Sequence, residues 1–137
     1  IFTRCVRVTL SLARALTRSL ARSLGQGNRK FHYLRFPVAH WFKESLDSHE
    51  EVLAYFHRCH GWIQEALDGG NSVLIHCLAG AHRAGTTGVS WLMHAAQMDR
   101  AEATAAAQQL RSVVNPFGHL VGILEKLEAA QQAQRSR

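Results

Sequence analysis

The sequence predicts an α/β fold, a mostly parallel central sheet flanked by helices. Three observations predict it. Strand-like runs at Thr3 to Leu10, Lys30 to Val38 and Ser72 to His76 fall between stretches with helical spacing of apolar residues. Helix-start and helix-stop signals bracket those helical stretches. The chain of 137 residues is the size of one domain that buries a core without disulfides or metal.

Taken in order, Thr3 to Leu10 alternates like a strand. Ser11 to Arg22 is a four-residue near-repeat of Arg, Ser, Leu and Ala without an acid, which reads as an insertion or as an organelle-targeting amphipathic segment. Residues 1–30 therefore form a basic N-terminal segment, 31–130 the main domain and 131–137 a polar tail. Lys30 to Val38 is the second strand candidate, closed by Pro37, and residues 39–47 are a loop. Ser48 with Glu51 is a capping box. Behind it Val52, Phe56, Cys59, Ile63 and Leu67 share one helical face, and Gly69-Gly70 ends the helix. The Ser72–His76 strand follows, then a loop, then a helix over about 84–97. Asp99 with Glu102 opens a further helix that is expected to reach Asn115, before Pro116. The last helix spans about 117–134, with Leu120, Ile123, Leu124 and Leu127 inward.

The net charge of +6 is unevenly distributed. Residues 1–30 carry seven Lys or Arg and no acid; residues 31–137 carry nine basic and ten acidic residues. A nucleic-acid-binding face on the main domain is not expected. Cys5, Cys59 and Cys77 are too few and too scattered for a disulfide framework, and no apolar run is long enough for a membrane span. A cytoplasmic location is expected, with organelle targeting by the basic segment as the alternative. The oligomeric state is open.

His76-Cys77-Leu78-Ala79-Gly80-Ala81-His82-Arg83 carries the chemistry. A strand delivers a cysteine into a loop that feeds a helix N-terminus, which suits binding and attacking a phosphate. Backbone N–H groups of Leu78, Ala79, Gly80, Ala81, His82 and Arg83 can cradle its oxygens, and the dipole of the following helix points at the same place. Arg83 offers a planar fork for two oxygens. Gly80 lets the backbone turn around the anion. The same positive field depresses the Cys77 thiol. An ordinary thiol near ~8.5 is only about 3% ionised at neutral pH, whereas helix N-termini and nearby cations bring such groups to roughly 3.5–7.5.

Val73-Leu74-Ile75-His76-Cys77, Gly80 and Arg83 resemble the signature of the dual-specificity branch of the protein tyrosine phosphatase superfamily. The resemblance extends to Phe31–Val38, Val52–Leu67, Trp91-Leu92-Met93, Arg111 and Asn115-Pro116, about residues 31–128 in all. It implies the small α/β fold of that family, with the N-terminal part incomplete or replaced by the repeat. By resemblance Cys77 is the nucleophile, Arg83 the phosphate clamp and His76 a support of the loop. The implied reaction is hydrolysis of phosphotyrosine, phosphoserine or phosphothreonine in a protein substrate through a phosphocysteine, without metal or other cofactor. The same chemistry on phosphoglucan, phosphoinositide or RNA 5′-phosphate is the second reading. A phosphate-binding module without turnover is the third.

One departure from the family pattern concerns the position after Arg83. The family usually has Ser or Thr there, whose hydroxyl assists breakdown of the intermediate; this chain has Ala84. Thr86 and Thr87 are the nearby hydroxyls. The general acid is expected at Asp47, thirty residues before Cys77, where a helix-cap role competes; His40 and Glu44 are the alternatives. Trp41 and Phe42 fit either the pocket mouth or the core. His57, Cys59 and His60 look metal-like but lack a second ligand pair, so helix histidines are the better reading. His82 either adds charge near the phosphate or shapes the entrance.

Overall fold

The computed structural model describes residues 32–137. Four helices follow one another: α1 (His49–Asp68), α2 (Arg83–Ala95), α3 (Arg100–Leu110) and α4 (His119–Arg135). A 3-10 helix, Val38–Lys43, precedes them. Helix α1 lies against α4, and α2 packs against both α3 and α4.

The helix starts follow from the sequence. Ser48 accepts the Glu51 N–H at 3.2 Å, and the Glu51 carboxylate accepts the Ser48 N–H at 2.8 Å. Asp99 and Glu102 repeat the arrangement at the start of α3. Each box satisfies backbone donors that a helix start leaves without partners. Helix α3 ends at Leu110 rather than near Asn115. Arg111 adopts extended backbone and Val114 turns back, its N–H donating to the Arg111 carbonyl. Propensity favoured continuing the helix; burial of Val114 against α2 ends it.

The expected parallel sheet is not confirmed among the described residues. Among the described residues there is no strand; Val73 makes an isolated bridge and residues 74–77 carry no regular structure. Residues 32–37 are likewise irregular, and Val38 starts a 3-10 turn. Alternation by itself only permits a strand; a ladder is formed between segments. Phe36 is fixed instead by ring packing, 4.9 Å from Tyr55 and 5.7 Å from Phe56 between centroids. The strand expected at residues 3–10 and the basic segment to residue 30 lie outside the described residues.

Two apolar clusters make up the core. The larger joins Val52 and Phe56 of α1, Val89 and Met93 of α2, and Ile123, Leu124 and Leu127 of α4. The smaller joins Cys59, Ile63, Val73 and Trp91. Val73 thereby anchors the segment leading to Cys77, while α2 is locked behind it. The loop between them is held at both ends by core residues.

Candidate active site

The loop from Cys77 to Arg83 turns through Gly80, whose φ of 69° lies in the left-handed region that glycine adopts without strain. A side chain there would also meet the Arg111 guanidinium, 3.2 Å from the position of a Cβ. Helix α2 then begins at Arg83. His82 occupies its N-cap position without a side-chain cap bond, so the first amides of α2 remain available on the side of the loop.

These amides converge on Cys77. The Gly80 N–H donates to Sγ at 3.2 Å. Partial burial alone would push the thiol up. Backbone hydrogen bonding from Ala84, Gly80 and Ala79, together with the charge of Arg83, outweighs it and holds the Cys77 pKa below its ordinary value. Cys59 shows what happens without such donors: buried in the smaller cluster, it is pushed up to about 12. The two described cysteines thus differ in kind, one held below its ordinary pKa by backbone donors and one pushed up in the core.

A segment outside the motif braces the loop. The Asn115 N–H donates to the Ala81 carbonyl at 3.1 Å, and the Asn115 carbonyl accepts from His82 Nδ1 at 2.7 Å. Phe117 stands edge-on to the His82 ring at 4.5 Å. Val114 lies against Gly85, 3.1 Å from where a Cβ would be. Residues 111–117 are therefore the part of the site that motif reading did not assemble. The only sequence signal was the match at Arg111 and Asn115-Pro116, with no spacing that pairs them with the loop.

The other expected residues have definite places. Arg83 is exposed at the loop's end, and Leu78 projects outward, 66% exposed. His76 is exposed, and its ring makes no hydrogen bond to another described residue. Thr86 is fully buried; its hydroxyl donates to the His82 carbonyl at 2.8 Å, and Thr87 donates to the Arg83 carbonyl at 3.1 Å. Both hydroxyls are spent on their own helix. Ala84 is buried and has no hydroxyl to offer.

Asp47 is exposed, and Ser48 rather than Asp47 caps α1. The peptide unit that leads into it is held at both ends: the Asp47 N–H donates to Glu51, and the Leu46 carbonyl accepts from Lys126 Nζ at 2.9 Å. His40 and Glu44 are also exposed, at the 3-10 turn. Trp41 is laid over α4, its indole N–H donating to the His119 carbonyl at 2.9 Å, whereas Phe42 is 57% exposed. His60 is buried, with Nε2 3.1 Å from Ser90 Oγ. Among the described residues no group of three His, Cys, Asp or Glu side chains is arranged to hold a metal. No helix there is long and apolar enough to cross a membrane.

Comparison with known proteins adds to this geometry. The family model described as dual specificity phosphatase, catalytic domain, matches residues 6–130. The chain is 36% identical over 78 residues to dual specificity protein phosphatase 1 of Arabidopsis thaliana, covering 57% of this chain and 39% of that protein. It is 29% identical over 101 residues to human dual specificity protein phosphatase 9, covering 74% of this chain and 25% of the relative. The chain thus spans well under half the length of these relatives. Among solved structures it is similar to Tk-PTP in the active form, with a TM-score of 0.56, 25% identity, and coverage of 93% of this chain and 77% of the other. Irregular backbone at the expected strands notwithstanding, the arrangement is that of this fold.

Proposed function

Since the chain belongs to the dual specificity phosphatase catalytic-domain family, we propose that it hydrolyses phosphomonoesters on phosphotyrosine and on phosphoserine or phosphothreonine proteins. One observation carries the reading: the backbone donors at Ala79, Gly80 and Ala84 converge on the sulfur of Cys77 and lower its pKa. Amides that favour a thiolate also favour the equatorial oxygens of a phosphoryl group seated on it.

In the first step the Cys77 thiolate bonds to phosphorus and the ester P–O bond breaks. The departing oxygen takes a proton from Asp47. Arg83 and the amides of residues 78–83 hold the phosphoryl oxygens throughout. In the second step water bonds to phosphorus, its proton passes to Asp47, and the S–P bond breaks to return the thiolate. No metal is required. With Ala84 in place of a hydroxyl, and Thr86 and Thr87 tied to helix carbonyls, the second step is the slow one.

Vanadate-sensitive release of phosphate from an aryl phosphate tests the proposal. Cys77→Ser should abolish release, and Asp47→Ala should slow substrates with poor leaving groups far more than those with good ones. Phosphopeptide binding without any release would overturn turnover. Equal losses on both substrate types would remove Asp47 from its role. Preference for phosphoglucan or phosphoinositide over phosphoproteins would overturn the substrate class.

A further inference from the structure

We propose that His82 is a positioning residue: it staples the phosphate loop to residues 111–117 and so keeps the loop's amides on Cys77. The inference rests on the reading of Cys77 as nucleophile and adds how its loop is held in shape.

The contacts on His82 come from three directions. Its Nδ1 lies 2.7 Å from the Asn115 carbonyl oxygen. A carbonyl only accepts, so Nδ1 carries the proton and donates. The Asn115 N–H returns a bond to Ala81, the residue before His82, at 3.1 Å. The ring is bounded by Phe117, and the His82 carbonyl receives both the N–H and the hydroxyl of Thr86 at 2.8 Å each. Asn115 contributes only backbone atoms, so of its two hydrogen bonds to the loop the one that a side-chain substitution can remove is that of His82.

The position is critical because the loop reverses there. On one side lies Gly80, which donates to the thiol; on the other lies Ala84, whose backbone also favours the thiolate. His82 stands between them at the N-cap of α2, where no side-chain cap fixes the turn. A donor at this position replaces a conventional cap by tying the turn to a different part of the chain. Arg83, the Arg111 guanidinium beside Gly80 and the neighbouring His76 are charged or titratable groups near the loop among the described residues, and all three are kept when His82 is substituted.

The test is the pH dependence of Cys77 alkylation by iodoacetamide in the full chain, followed by the mass of the peptide that carries Cys77. His82→Ala should raise the midpoint by about one unit, which is about a tenfold fall in alkylation rate at pH below both midpoints. His82→Asn carries an amide donor close to the place of Nδ1 and should restore most of it. His82→Gln, one carbon longer, should not. Should the Ala variant fail to fold, the Asn and Gln pair decides. Coincident profiles for Asn and Gln, or an Ala profile that superposes on the unsubstituted chain, would overturn the staple. A shifted Ala profile in a chain that releases no phosphate would support the staple while the phosphatase reading fails.

Discussion

Ala84 separates two capacities that a phosphatase loop usually combines. Its backbone favours ionisation of Cys77, while its side chain has no hydroxyl to offer the water of the proposed second step. Ala84→Ser should therefore speed breakdown of the phosphocysteine more than its formation. Burst kinetics on an aryl phosphate would read this as a rise in the steady-state rate relative to the burst; an unchanged ratio would count against it. His60 is the other residue with a measurable signature. Ser90 donates its hydroxyl proton to the Thr87 carbonyl at 2.8 Å, so it accepts from His60, which is neutral with Nε2–H. Burial first, then the nearby His94 and His57, push His60 down to about 3. The unfolded chain takes up that proton near the ordinary 6.5, so the contribution is whole above that pH and is lost as pH falls towards 3. The slope is at most ~1.4 kcal/mol per pH unit. Chemical denaturation between pH 7 and 4 should show this loss, and His60→Phe, which keeps the stacking on Phe56, should flatten it.

At the scale of the element, α1 depends on its cap. Glu51 accepts from the N–H groups of Asp47 and Ser48 and from the Ser48 hydroxyl. Ser48→Ala should cost about 1 kcal/mol, seen as a lowered thermal midpoint. A variant as stable as the parent would refute the cap's share. Both capping boxes were legible in the sequence because each is a local pattern of two residues three apart. The end of α3 was not, because Val114 leaves the helical path to pack against α2. The strands are not confirmed among the described residues: Ser72–His76 has strand-forming residues, but a ladder is a relation between segments.

For the whole molecule, the family fold was legible from its helices and from one motif, and the turn at Gly80 with the amide on Cys77 was legible because the seven residues from Cys77 to Arg83 form one local loop. What the sequence could not disclose is the brace. His82 and Asn115 are thirty-three residues apart in sequence and 2.7 Å apart in space, and neither residue type announces the other. Nor could spacing tell that Thr86 and Thr87 turn away into their own helix. The brace is a long-range contact made by the segment that follows α3, whereas the threonine bonds are made four residues back along α2.

The amides that face Cys77 in the loop and at the start of α2 have a consequence for the folding equilibrium itself. An anion that seats on them binds the native chain and not the unfolded one, so it shifts that equilibrium by mass action, by about 2.7 kcal/mol at a concentration a hundredfold above its dissociation constant. Thermal unfolding in phosphate, tungstate or vanadate should show a midpoint that climbs with the logarithm of anion concentration, and Arg83→Ala should blunt the climb; a midpoint indifferent to all three anions would contradict it. Heat resistance in this protein would then act as a gauge of loop occupancy, readable without any substrate turning over.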